Sequence, residues 1–406
     1  MSTITRDGVD NLAIGRHEPD WLKKNRLSAW EHYLSLPAPT VRDDTWRKTR
    51  LADLDFAKVR TSSIQKGAPE KAGPTVSKLL SMFEDSSGFV VSTDKHQWSF
   101  GLKSELKEKG VVVATPGECL IDRPQLLKDW LAKDSDPQKD GKFEFLSRAL
   151  FNCGAVLFVP EGLEIEKPFV IIHALSENST ATATFPRILV KAGRAARFSV
   201  INIFTSEIPD KKNENTDEMS VISSLIDLSL DQGSAVNYVE MQNFASKVFY
   251  ISKNTNTIGK DAIYRALTIG LGGHQLKTDI ETDLHQAGAQ SNIHGVVLGD
   301  RDEHLAYNTI QKHNAPDTTS NINFLVALKD RAVSAYQGNI MVARAAQKTN
   351  AFQSNKNLLL GEEAKADSIP KLEILADDVK CSHGATVGPV DKNQVFYLMS
   401  RGLDKK

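Results

Sequence analysis

Two textures of hydrophobic patterning divide this chain. Up to about residue 150 apolar residues recur at helical spacing. Trp21, Leu22, Leu27, Trp30, Tyr33 and Leu34 form a stripe of near 3.6-residue period, which predicts a helix over residues 18–36. Pro19 suits its first turn, and Leu36-Pro37-Ala38-Pro39 stops it. Asp43 to Thr49 then leads into a short apolar stretch, Leu51 to Phe56. Residues 60–75 are rich in Lys, Ser, Gly and Pro and read as a mobile linker. Beyond it the pattern predicts strands at Phe89–Ser92 and Val111–Ala114, a helix over 123–133, a charged loop over 134–142 and a helix from Phe143 to Phe151.

From about residue 153 the helical period fades, and short β-rich runs alternate with Gly, Asp and Asn turns. Five segments share the form strand, tight turn, strand: 188–200, 228–239, 296–305, 324–336 and 358–366. The last three turn centres, near Asp300, Asp330 and Gly361, lie about 30 residues apart. Short strands recurring at such a period predict a solenoid, and their β character makes it a β-helix. The Asn-rich run from Asn350 to Asn357 suits stacked polar turns. A β-sandwich is the alternative, since short strands between turn signals fit that too. The domain reading is therefore 1–150 helical and mixed, 151–390 β-helix, and 391–406 the start of a C-terminal region.

Composition narrows the class. The chain has 406 residues, 40% hydrophobic and 25% charged, with a net charge of -1. Such a balance is ordinary for a globular protein and argues against a strongly nucleic-acid-binding surface. No apolar run approaches the roughly 20 residues of a membrane span, and the polar first ten residues hold no secretory h-region. Three scattered cysteines, Cys119, Cys153 and Cys381, fit a reducing compartment better than a disulfide framework. A cytoplasmic protein is expected.

The chemistry converges on one segment, Lys371 to Pro389. It holds Cys381 and His383 two residues apart, after Asp377 and Asp378 and before Gly384. In an extended chain residues i and i+2 share a face, so thiolate and imidazole would project side by side, suiting iron, zinc or an iron–sulfur cluster. A closed site needs about four ligands. The rest would come from elsewhere in the fold or from a partner, or the pair is structural. Other candidates are weaker. His274, His285, His294, His304 and His313 fall 9–11 residues apart and either line one face of the solenoid or sit in exposed turns. Gly270-Leu-Gly-Gly273 lacks the lysine of a phosphate loop and reads as a turn. Cys153 reads as a packing cysteine, and Cys119 has no nearby partner. No G-x-S-x-G, H-E-x-x-H or C-x-x-C occurs, and nothing establishes catalysis.

Ala346 to Asn350, Gln353 to Leu360, Ile369 to Ile374 and Asp377 to Gly388 together resemble the SufB/SufD family, core subunits of the SUF iron–sulfur cluster assembly machinery. His313 to Ser320 and the run from Asp330 to Gly338 also match. Glu18-Pro-Asp-Trp21, Arg42 to Thr49 and the modest length are more similar to the D-type than the B-type subunit. The resemblance implies a mainly β, right-handed parallel β-helix core with an N-terminal helical domain. It implies a non-catalytic, accessory scaffold that pairs with a SufB-type paralogue through the C-terminal part of the β-helix. His383 matches the family histidine at that interface, and Cys381 the nearby cysteine. An iron–sulfur cluster would be held there transiently; a flavin is an open question, as is self-pairing into a homodimer. The family also uses an ABC-type ATPase, SufC, which docks on C-terminal helices. The sequence reaches Lys406 about where those helices would begin, so a truncated region and a lost docking element are expected. The competing readings are a carbohydrate-active β-helix enzyme and a purely structural subunit.

Overall fold

In the computed structural model the described residues are 2–404 apart from 50, 52, 53, 55, 57, 70, 132–139, 177, 178 and 208–217; the expected charged loop falls largely outside them. From Cys153 onward the chain winds as a two-sheet solenoid. Each rung gives one strand to each sheet, so neighbours in a sheet are strands two apart in sequence. One sheet runs through Pro186–Ala192, Ser220–Leu230, Val248–Ile258, Gln275–Leu284, His304–His313 and Val333–Val342 to Lys365–Ile374. The other runs through Phe169–Leu175, Arg197–Ser206, Ala235–Phe244, Ile263–Gly272, Gln290–Gly299, Thr319–Leu328 and Asn350–Leu359 to Lys380–Pro389. All these pairs are parallel. Gln275 lies beside His304, and His304 beside Val333, a repeat of 29 residues; the next step, Val333 to Lys365, is 32. The mainly β fold with a parallel β-helix core and N-terminal helices is what the chain forms.

The turns explain why the rungs stack. Ala195, Gly233, Asp261, Gly288, Asp317 and Lys348 all have positive φ, in one column. Each donates its amide to a carbonyl in the turn above, ending with Lys348 donating to Asp378 at 2.6 Å. A left-handed residue per turn suits Gly and Asp, which hold four of these six positions, with Ala195 and Lys348 at the other two. Along the strands burial alternates, and one contiguous cluster fills the lumen, including Ile222, Tyr250, Leu276, Ile293, Leu305, Phe324 and Tyr336.

The N-terminal helices close over one sheet. Asp20–Ser35 buries Leu22, Arg26, Ala29 and Trp30 along one stripe. Pro19 is its N-cap rather than its first-turn residue. The helix Lys142–Leu150 wedges between it and the solenoid, where Ser147 Oγ and Ser223 Oγ lie 2.7 Å apart. Arg26, fully buried, is the linchpin. It makes a bidentate pair with Glu18 (2.6 and 2.8 Å), donates to the Ala149 carbonyl (3.0 Å) and lies 3.7 Å over the Phe151 ring. One apolar cluster joins Leu22 and Trp30 to Phe249 and Ile251 of the solenoid.

Three details differ from expectation. Within 60–75, Arg60–Thr61 and Gln65–Lys66 pair with other strands, and Thr61 and Ser62 are buried, so the segment is anchored where its polar composition suggested a free linker. Asn350–Leu359 is a strand, not a turn stack: Asn355 and Asn357 face the lumen and bond each other at 2.7 Å. The C-terminal segment forms the helix Lys392–Ser400, capped by Asp391, with Phe396, Tyr397, Leu398 and Met399 exposed. A helical element is therefore present where a lost one was expected.

Candidate functional site

The solenoid ends on the strands Lys365–Ile374 and Lys380–Pro389, each paired on one side only. In Lys380–Pro389, Cys381 stands beside Ala351 and His383 beside Gln353. Ala351 and Gln353 are buried lumen positions. By parity Cys381 and His383, with Ala385 and Val387, therefore continue the lumen-facing row onto a rung that nothing covers. The Lys380 amide bonds back to the Thr349 carbonyl. Backbone groups alternate in direction along a parallel strand, so the amides of Cys381, His383, Ala385 and Val387 point to the free edge.

The environments of the two residues differ. Cys381 is partly buried against the cluster of Ile340, Val342, Ala346 and Ala351. Burial raises its thiol pKa, partly offset by a backbone hydrogen bond at Ala351. His383 is exposed. Beneath it Gln353 occupies the space over Gly338, where a Cβ would come within 2.3 Å of the amide. Gln353 Oε1 and Ser368 Oγ are buried without a hydrogen-bond partner. Asn357 donates to the Thr386 carbonyl at 3.0 Å and ties the last strand to the one before.

The acidic neighbours take another role. Asp378 belongs to the turn column: its carbonyl accepts from Lys348, and its amide donates to Gln347 Oε1 at 2.9 Å. Among the described residues no cluster of three or more His, Cys, Asp or Glu is arranged to hold a metal ion. The chain offers two neighbouring donors at an open edge, chemically half of a site.

The remaining candidates separate. His304 and His313 are buried at opposite ends of one strand, whereas His285 and His294 are exposed, so the five histidines do not share a face. His313 is held between Thr318 Oγ1 (2.8 Å) and Ser320 Oγ (2.9 Å), and burial lowers its pKa to about 4. Burial pushes the Cys119 thiol up to about 11 and the Cys153 thiol up to about 12, which keeps both protonated. Of the segment expected to be a turn, Gly270 to Gly272 end the strand Ile263–Gly272, and Gly272 and Gly273, both at positive φ, turn the chain just after it.

Sequence reasoning missed a polar knot in the lumen. Glu240, fully buried, accepts from Gln242 (2.6 Å), Asn254 (2.9 Å), Tyr250 (3.4 Å) and Tyr238 (3.5 Å). Burial outweighs these donors and raises its pKa. The signal was Tyr238-x-Glu240-x-Gln242, three polar-tipped residues on the inward phase.

A family model describing the SufBD core domain of the SUF system of FeS cluster assembly matches residues 173–406. The chain belongs to the SufBD family. It is 28% identical over its full length to the iron–sulfur cluster assembly protein SufD of Bacillus subtilis, covering 90% of that protein. It is 23% identical to SufB of the same bacterium, over 99% of this chain and 86% of the relative. A SufBD family protein of Synechocystis is 26% identical over 97% of this chain and 86% of that protein. The greater likeness to SufD agrees with the D-type features of residues 18–21 and 42–49. This family member is a SUF-type assembly subunit, and the carbohydrate-active reading finds no support. No helix among the described residues is long and apolar enough to cross a membrane.

Proposed function

We propose that this chain is an accessory, non-catalytic scaffold that adds its open solenoid end to a SufB-type paralogue and lends His383 to a shared site where an iron–sulfur cluster is built. The observation that carries this is the last rung, where Cys381 and His383 share one face at an unpaired strand edge. Unpaired amides and carbonyls along such an edge invite strand addition, and a continuing lumen would cover Ile374 and Val387, both exposed at the end. The cluster is cargo. A site completed only across an interface opens when the interface loosens, which suits transfer better than storage. Imidazole and thiolate are competent iron ligands, the imidazole giving a weaker and more labile hold than thiolate alone. The exposed His383 is the more available of the two, because Cys381 must lose a proton that its surroundings retain.

The helix Lys392–Ser400 has the exposed apolar surface a second partner would cover, and we assign it to the SufC-type ATPase. No residue is assigned to a flavin.

The test is co-expression with a B-type partner, comparing His383→Ala and Cys381→Ala with the parent. Co-purification, iron, sulfide and visible absorption are recorded. Intact pairing with cluster content lost in His383→Ala is expected. Unchanged cluster content in both variants would leave the chain a structural subunit.

A further inference from the structure

At the start of the solenoid, the N-terminal module forms two half-open cavities of about 340 and 420 Å³ that share one wall residue, Arg16. Arg16 caps the helix Arg6–Gly15, and the next residue, His17, takes a left-handed turn with φ of 51°. The Arg16 guanidinium is partly buried and donates to the Asn152 carbonyl. The carboxylate whose charge acts on it, Glu18, is engaged through both oxygens by Arg26. Two guanidinium groups thus share one carboxylate, leaving a positive charge without a counterion among the described residues. Burial, and next the charge of Arg26, lower the Arg16 pKa to about 10.

The larger cavity adds a second cation. Lys66 reaches its mouth beside Gly117, with Lys66 Cε 3.5 Å from where a Gly117 Cβ would stand. The nearby Glu118 carboxylate caps its own helix, its Oε2 accepting from the Thr115 amide (2.6 Å) and from Ser99 Oγ (2.8 Å). Glu18, held by Arg26, and His17 complete the polar part of the wall, and the rest is largely apolar, including Trp21, Leu120, Leu127 and Phe151. A largely apolar cleft of this size with a few charged groups in its wall is the usual form of a small-molecule site.

We propose that this cavity binds a small organic monoanion, its carboxylate-type head on Arg16 and Lys66 and its apolar or aromatic body against Trp21, Leu120, Leu127 and Phe151. An anion would supply the missing counterion, and the apolar wall would select against inorganic anions. The surrounding fold would be stabilised by mass action.

The probe is 3-phenylpropionate, titrated into the full chain by calorimetry and by tryptophan fluorescence, with 3-phenylpropanol and inorganic phosphate as comparisons. Phenylpropionate is expected to bind at or below about millimolar concentration, a modest demand for so small a ligand. Arg16→Gln should weaken it about tenfold or more. Because Arg16→Gln also removes the bond to Asn152, Leu120→Trp is measured beside it. That change fills the chamber, leaves both cations, and should abolish binding with the melting temperature preserved. The proposal is overturned if phenylpropanol binds as well as phenylpropionate, if phosphate binds and phenylpropionate does not, or if Leu120→Trp binds like the parent. These readouts are independent of cluster assembly.

Discussion

A histidine in this solenoid takes its chemistry from where its rung lies. His173, in the first turns of the lumen, is buried and stacked 4.9 Å from Phe204, and neither ring nitrogen has a hydrogen-bond partner. Burial lowers its pKa to about 3. His383 has the same lumen-facing phase but no rung above it, so it stays exposed and able to act as a ligand. The first case makes a stability prediction. The folded-state pKa of His173 lies below the unfolded value near 6.5, so the unfolded chain takes up the proton first. Its neutral form is fully compatible with folding above about pH 6.5, and stability is lost as the pH falls from there toward 3. At pH 5 this amounts to about 2 kcal/mol from this one ring. His173→Phe should therefore lose less stability than the parent between pH 7 and pH 5 in urea unfolding; equal losses would show that the ring is not protonated on unfolding. The Cys381/His383 pair itself was legible, because the i, i+2 rule needs only an extended chain. The role of Asp378 was not, because its carbonyl meets Lys348 only through a turn column that forms when the rungs stack.

At the scale of elements, the terminal strand and the terminal helix make separate predictions. The Ala385 amide points to the free edge, so Ala385→Pro removes a donor that the isolated chain does not use. Its melting temperature should stay close to the parent's while co-purification with a B-type partner falls; undiminished pairing would exclude strand addition at this edge. In the helix Lys392–Ser400, Phe396 is 73% exposed, so replacing it costs the isolated chain little. Phe396→Asp should abolish co-purification of the ATPase and leave B-type pairing intact. Retention of the ATPase would move its docking elsewhere. The sequence carried the strands well, since turns with Gly and Asp at left-handed positions punctuate them. It misled at Asn355 and Asn357, because asparagine is a turn former by propensity. Here the Asn357 amide nitrogen donates instead within the lumen to Asn355 Oδ1 and to the Thr386 carbonyl.

Across the whole molecule, the boundary drawn at residue 150 from texture is crossed by packing that texture cannot show. Asp44 reaches Lys371, Lys48 reaches Asp367, and Asn308 donates to the Thr45 carbonyl at 3.1 Å, so the N-terminal segment lies across the last rungs. Contacts between residues so far apart leave no local pattern, and the burial of Arg26 is intelligible only once its Glu18 partner is placed. If these contacts bind the two parts into one cooperative unit, both should unfold together. All five tryptophans, Trp21, Trp30, Trp46, Trp98 and Trp130, precede the solenoid, so fluorescence follows the N-terminal part. Far-UV circular dichroism is dominated by the strands that follow. In urea the two signals should trace coincident transitions. Arg26→Ala removes one member of a buried pair, leaves Glu18 uncompensated, and should lower stability by about 3–5 kcal/mol. In a single unit it must shift both signals equally; a shift of the fluorescence transition alone would mean that the helices ride on the solenoid as a separately melting body.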